Sequence, residues 1–202
     1  MTGDGLVWSI DNLPAASPGD RAARHFVARG LQRSARTVDE VIYYLRTHPS
    51  AGGFAYTIGD RAGRIACVEA AAGRHAYVDA GPEFPSGPLL WHTNHGRYLP
   101  GAEPSPGGTS VPRGQTLAAL GIPVKDPDPA WFLRILAGAA LPEGVRCDPG
   151  AGQPAITLCT LVADLTAGEA LIAARAARPV AIPLPDLAQG NPHHQRAFAP
   201  AA

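Results

Sequence analysis

Gly53-Phe54-Ala55-Tyr56-Thr57-Ile58-Gly59 and Arg64-Ile65-Ala66-Cys67-Val68-Glu69-Ala70 flank the short link Asp60-Arg61-Ala62-Gly63. Two apolar runs joined by a turn in which Gly63 can take positive φ predict a β-hairpin. Upstream, the run Gly5 to Ile10 predicts a short buried strand, ended by Asp11-Asn12-Leu13-Pro14. Downstream, His75 to Asp79 and Leu89 to Trp91 predict two further strands. Strands that follow one another without intervening helices make an antiparallel sheet. A second hairpin is predicted over Ala155 to Asp164 and Glu169 to Ala176, with the apolar run Thr157 to Val162 as a central strand.

Helices are predicted around these strands. Asp20 would cap one running to about Arg33, with Ala23, Phe26, Val27, Gly30 and Leu31 near a 3.6-residue period. Thr37-Val38-Asp39-Glu40 is a capping-box pattern opening a helix that turns Val41, Ile42 and Leu45 inward. Thr109 or Ser110 would start a third helix reaching Leu120, and Asp128 to Ala139 reads as a fourth. About seven strands and four helices in this order give an α+β chain. Residues 1–180 read as one domain, and 181–202, rich in Pro, Ala and His, as a tail without periodicity.

Composition narrows the function. Lys plus Arg and Asp plus Glu are 17 each, so the net charge is zero and there is no basic block to bind nucleic acid or an anionic membrane. No apolar run approaches the ~20 residues that span a bilayer. Three cysteines do not form a disulfide framework, and no secretory leader opens the chain, so a reducing cytoplasm is expected. His193-His194 has no third ligand at zinc spacing, and His92 and His95 lack one too, since His25, His48 and His75 lie on separate elements. No metal or cofactor is expected. Asp60 and Glu69 do not form a glycosidase pair, because the hairpin separates turn from strand end by ~20 Å at ~3.3 Å per residue. Asp60 reads as a turn residue and Glu69 as a sheet-edge ion-pair partner.

The remaining chemistry concentrates in His92-Thr93-Asn94-His95, which closes the apolar run Pro88-Leu89-Leu90-Trp91. A side-chain amide on a rigid platform can donate a fixed hydrogen bond to a developing oxyanion. The alternative is that Asn94 and the histidines only satisfy turn backbone groups.

The order GLVWSIDNLP (5–14), GGFAYTIGDRAGRIACVE (52–69) and LLWHTNH (89–95) resembles the acyl-coenzyme A:6-aminopenicillanic acid acyltransferase family. That family is similar in turn to the choloylglycine hydrolase and penicillin V acylase group of N-terminal-nucleophile hydrolases. The resemblance covers most of residues 5–180. It implies a four-layer αββα sandwich and a cysteine-dependent amidohydrolase or acyltransferase acting on a linear amide. It also implies autoproteolysis that exposes a cysteine following a glycine, many tens of residues before the GLVWSIDNLP segment. None of Cys67, Cys147 and Cys159 follows a glycine. The chain is therefore expected to be the C-terminal part of such an enzyme, its sandwich incomplete at the N-terminus, and inactive alone.

The resemblance also implies site residues. Asn94 matches the active-site asparagine of the HTNH motif. Asn12 falls on an asparagine that helps form the oxyanion hole, with Asp11 the weaker alternative in the same turn and a plain Asx turn the competing reading. Arg146 occupies the place of an arginine near the nucleophile, against the reading of a solvated loop arginine. Arg113, in Ser110-Val111-Pro112-Arg113, matches a recurrent Ser-x-x-Arg position and reads as structural, pairing with a carboxylate. The expected partners are a small-molecule amide or acyl donor and a separate nucleophile-bearing chain; homo-oligomerisation is open. Two other readings stand beside this one. One is a non-catalytic relative that binds an acyl or amide ligand or a partner chain. The other is Thr2 as a new N-terminal nucleophile after loss of Met1, placed at the wrong end of a strand.

Overall fold

The predicted hairpin forms the centre of a four-stranded antiparallel sheet in the order β1-β2-β3-β4. The computed structural model describes residues 1–14, 21–71, 73–80, 89–104, 108–120, 127–148, 156–175 and 177–189. The chain divides into two compact units, Met1–Ile122 and Pro123–Ala202.

In the first unit the sheet comprises β1 (Val7–Leu13), β2 (Gly53–Gly59), β3 (Ile65–Ala71) and β4 (Arg74–Asp79). Strand β1 runs past the turn predicted at Asp11-Asn12, and both residues pair with β2, Asp11 opposite Ala55 and Asn12 opposite Phe54. Alternation sorts the side chains. Phe54, Tyr56, Ile58, Ala66 and Val68 face two helices, α1 (Arg24–Ser34) and α2 (Val38–Thr47), and bury against Val27, Leu31, Val38, Val41, Ile42 and Leu45. Trp8 and Ile10 pack into the same cluster. The opposite face carries Leu13, Ala55 and Cys67, covered by Leu90, Tyr98 and Ala102 of a long loop.

Helix α2 starts as the capping box predicts, with Thr37 Oγ1 accepting from Glu40 N at 3.3 Å and Glu40 Oε2 accepting from Thr37 N at 3.3 Å. Helix α1 begins after Ala23 without a side-chain cap. The expected cap, Asp20, lies outside the described residues. Asp60 does more than turn the hairpin. Its Oδ1 accepts from Ala62 N and Arg64 N, and its Oδ2 accepts from Val38 N at 3.2 Å, tying the turn to the start of α2.

Leu89 to Trp91 is not a strand. It belongs to the covering loop, residues 89–104, which contains no helix or strand. A short apolar run looks the same whether it is a buried strand or a buried loop, and periodicity cannot separate them. The loop leads through residues 105–107, outside the described set, to α3 (Ser110–Ala119).

The second unit contains α4 (Pro129–Leu133), capped by Asp128 and continued by a π-helical turn, Arg134–Gly138. Its sheet, in the order β5-β6-β7, comprises β5 (Cys159–Asp164), β6 (Glu169–Ala174) and β7 (Val180–Pro183). The second hairpin is present as predicted, but β5 is an edge strand and β6 is central, so Thr157 to Val162 is not the buried centre. Leu158 is 71% and Leu161 51% exposed. The part of the expected tail that is described, 181–189, completes β7 and forms α5 (Leu184–Gln189), with Ile182 and Leu184 buried. His193 and His194 lie outside the described residues. The seventh strand is thus β7 and not Leu89 to Trp91. Two antiparallel sheets with helices make the chain α+β. Among the described residues no helix is long and apolar enough to cross a membrane.

Candidate functional site

A loop laid on a sheet face must satisfy its backbone polar groups without water. Residues 89–104 do so largely through one side chain. Glu69 projects from β3 into the loop and is fully buried. Its Oε1 accepts from Arg97 N at 2.7 Å, and its Oε2 from Leu99 N at 2.7 Å and Tyr98 N at 3.1 Å. Glu69 therefore organises this loop from a central strand, so the expected ion-pair partner is not at a sheet edge. The signal lay in the sequence: a carboxylate in the middle of Ile65-Ala66-Cys67-Val68-Glu69-Ala70 has to be buried, and buried carboxylates need several donors.

The fourth donor to Glu69 is His92, whose Nε2 lies 2.8 Å from Oε1. The His92 side chain is completely buried, and its Nδ1 faces Asp11 Oδ2 at 3.5 Å, an ion-pair distance without hydrogen-bond geometry. Burial is the largest influence on His92 and lowers its pKa, but the two carboxylates together outweigh it and the pKa is raised. Burial likewise pushes Glu69 up, and the His92 contact with the three backbone N–H groups pulls it below its ordinary value. The result is a carboxylate–imidazole–carboxylate row, Glu69–His92–Asp11, buried at Glu69 and His92 and partly exposed at Asp11.

The loop is held at three further points. Arg97 lies 3.5 Å over the Trp91 ring and donates from Nη1 to Trp91 O at 2.6 Å. Gly96 N donates to Ala102 O at 2.6 Å, and a Cβ on Gly96 would stand 2.9 Å from that same oxygen. His95 Nδ1 sits 3.0 Å from Thr93 Oγ1 and 2.8 Å from Ser110 Oγ, and the two hydroxyls are 3.1 Å apart. Burial first, then the positive charges of His92 and Arg97, lower the His95 pKa.

Asn94 stands between these anchors. Its Oδ1 accepts from Arg113 Nη2 at 2.7 Å, and its Nδ2 donates to Asn12 O at 3.2 Å. Arg113 therefore meets an amide and not the expected carboxylate. Asn12 is brought to Asn94 through its backbone carbonyl. Alternation puts the Asn12 side chain on the face of Trp8 and Ile10, while Asp11 faces the side of Glu69 and His92. An amide nitrogen carries two N–H groups, so after the bond to Asn12 one remains for another acceptor.

Arg146 belongs to the second unit. Its Nε and Nη2 donate to both oxygens of Asp148 at 2.8 and 2.9 Å, and its Nη1 donates to Ala137 O and Gly138 O at the end of the π-helical turn. Arg175 shares Asp148 at 3.0 Å. Arg146 lines a cavity of about 310 Å³ together with Leu133, Arg134, Cys159 and Ala173.

Thr2 has its hydroxyl occupied by Leu6 N at 3.3 Å. It precedes the Val7 end of β1, and the five steps from Val7 to Asn12 span about 17 Å at ~3.3 Å per residue. Cys67 is fully buried, and burial, then the Glu69 charge, push its thiol up to about 12.

A family model described as acyl-coenzyme A:6-aminopenicillanic acid acyl-transferase matches residues 2–174. No curated protein and no solved structure matches the chain.

Proposed function

The chain belongs to the acyl-coenzyme A:6-aminopenicillanic acid acyl-transferase family, and we propose that it supplies the oxyanion side of a cysteine-dependent amide acyl transfer or hydrolysis, with Asn94 as donor. The reading carries with it an N-terminal-nucleophile αββα sandwich, which the α+β content with two antiparallel sheets supports. The observation that carries the proposal is the Asn94 amide. Its oxygen is held by a guanidinium, and among the described residues its nitrogen bonds only Asn12 O, which leaves one N–H for an incoming acceptor.

In this reaction a thiolate attacks the amide carbonyl carbon and the α-amine of the same residue takes the thiol proton. The carbonyl oxygen becomes an oxyanion and receives the free Asn94 N–H. The C–N bond then breaks, the proton returns to the leaving nitrogen, and water or an acceptor amine releases the acyl group from sulfur. Cys67 is not that nucleophile, since a thiol with pKa near 12 is not ionised at neutral pH. Cys147 and Cys159 lie in the second unit and follow Arg146 and Leu158, not glycine. The proposed nucleophile therefore comes from outside these 202 residues.

The test is an assay of the purified chain against N-acyl amino acids, penicillin V and acyl-coenzyme A donors, alone and with a Gly-Cys-bearing upstream segment of a family member. No turnover alone, turnover on mixing, and a loss of ~10²–10³ in Asn94→Ala are expected. Turnover by the chain alone that Thr2→Ala abolishes would overturn the proposal. Ligand binding without turnover in any mixture would replace it with the non-catalytic reading.

A further inference from the structure

We propose that Arg113 is a positioning residue for Asn94: its guanidinium decides which end of the amide is presented, and its charge acts through that amide on the oxyanion. The inference rests on the oxyanion role of Asn94 and deepens it.

The two ends of an asparagine amide have nearly the same shape but opposite hydrogen-bonding sense. Two contacts choose between them: the Asn12 carbonyl takes the nitrogen end at 3.2 Å, and the Arg113 guanidinium, the shorter and charged contact, takes the oxygen end at 2.7 Å. Arginine has donors and no acceptor, so only Oδ1 can face Arg113 Nη2 at 2.7 Å, and Nδ2 is forced to the other side. Without Arg113, a turned amide would present its oxygen to the oxyanion and repel it.

The partner of Arg113 differs from those of the ion-paired arginines. Arg36 pairs with Asp4, Arg64 with Asp39 and Asp79, and Arg146 and Arg175 with Asp148. Among the described residues Arg113 pairs with no carboxylate. It is half-buried, and its Nε is buried with no hydrogen-bond partner. A guanidinium partly removed from water and given only a neutral amide is costly to hold. Such an arrangement becomes favourable when negative charge arrives on the far side of that amide, as it does in a tetrahedral intermediate. A charged group behind an amide also polarises it and strengthens its N–H as a donor.

Helix α3 aims the guanidinium from its first turn. Ser110 holds Thr93 and His95, the residues on either side of Asn94. Gly114, one residue past Arg113, lets the helix approach so closely that a Cβ there would lie 3.1 Å from the Trp91 ring and 3.4 Å from His95. The Ser-x-x-Arg-Gly sequence of residues 110–114 thus grips Trp91 to His95 as one surface. The charged and titratable groups around Asn94 are His92, His95 and Arg97 of its own loop, Asp11 of β1 and Glu69 of β3. Glu69 and Asp11 are engaged with His92 and leave Arg113 uncompensated.

The experiment follows the Asn94 δ-amide by NMR in the isotope-labelled chain, where no turnover is needed. In the parent protein the two δ-protons should be resolved, slow to exchange with water and in contact with residue 12. Arg113→Met should speed their exchange at least about tenfold, the worth of a hydrogen bond to a charged group, and remove that contact. Arg113→Lys, which keeps the charge without the planar fork, should fall between. Arg64→Met, which removes a guanidinium paired with Asp39 and Asp79, should leave the δ-amide unmoved. Backbone amide spectra report the fold of each variant. If Arg113→Met fails to fold, the lysine variant decides alone. An Asn94 amide unchanged in a folded Arg113→Met or Arg113→Lys protein overturns the proposal.

A second arm uses the mixture that turns over. Arg113→Met should lower kcat about 10- to 100-fold with KM little changed. It should add nothing on top of Asn94→Ala, and additive losses in the double variant overturn the proposal. If no mixture ever turns over, the oxyanion reading of Asn94 falls while the NMR arm still decides the coupling of Arg113 to it.

Discussion

His92 and Glu69 are shifted in opposite directions by one contact, and this sets how stability follows pH. The folded pKa of His92 is raised above its ordinary 6.5. Its contribution is therefore complete below ~6.5 and is lost as pH rises through the folded value. The folded pKa of Glu69 is lowered, so its contribution is complete above ~4.3 and is lost as pH falls through the folded value. Between these limits both are fully present. Urea unfolding between pH 5 and 9 should show stability falling on the alkaline side, and His92→Gln should flatten that fall. An equal slope in the variant would remove His92 as its cause. Glu69→Gln should cost about 3 kcal/mol at pH 6, because the buried site loses the carboxylate charge and one of its two acceptor oxygens becomes an NH2 facing N–H donors.

At the scale of elements, the covering loop shows why part of the site was legible in the sequence and part was not. The hairpin, the capping box at Thr37 and the positions of α3 and α4 follow from local rules of turn, cap and period, and those rules held. HTNH was visible as chemistry because four polar residues followed an apolar run. Its support was not visible. The partners of the loop lie 19 to 82 residues away, at Arg113, Glu69 and Asn12, and no local pattern reports a contact of that range. Leu89 to Trp91 was misread for the same reason: burial against Leu13 and Cys67 makes it apolar, while its backbone makes no ladder. Gly96 is where this non-local architecture can be tested. A methyl group there would meet the Ala102 side chain at 2.7 Å and the carbonyls of Ala102 and Leu99 at 2.9 and 3.0 Å. Backbone oxygens cannot move aside as a side-chain tip can. Gly96→Ala is expected to destabilise the first unit by about 1–3 kcal/mol and to raise hydrogen exchange at Arg97, Tyr98 and Leu99, the N–H groups on Glu69. Unchanged protection at those three amides would show that the loop does not depend on this turn. Asp60→Ala belongs to the same scale: it removes the acceptor shared by Ala62, Arg64 and Val38 and should cost about 2 kcal/mol in thermal unfolding.

At the scale of the whole molecule, the second unit carries the most exposed apolar surface on a strand or beside one. Leu158 and Leu161 are 71% and 51% exposed, Ile156 is 45% exposed, and all three lie on or just before the edge strand β5. Strand β6 occupies one side of β5, and the described sheet ends at the other. An edge strand with apolar side chains offers both backbone groups and hydrophobic area to another strand. Burying two leucine side chains contributes about 1.5–3 kcal/mol each, enough to matter for association at micromolar concentration when backbone pairing is added. The chain should therefore self-associate as its concentration rises in analytical ultracentrifugation. Leu158→Thr combined with Leu161→Thr keeps the β-branched preference of a strand while removing the apolar surface. That double variant should sediment as a monomer over the same range. If the parent chain is already monomeric there, or if the variant associates equally, β5 is not the contact. Adding the Gly-Cys-bearing segment to the parent chain extends the measurement. Suppression of self-association by the segment would mean that both compete for one surface, whereas a heavier mixed species would place the segment elsewhere on the chain.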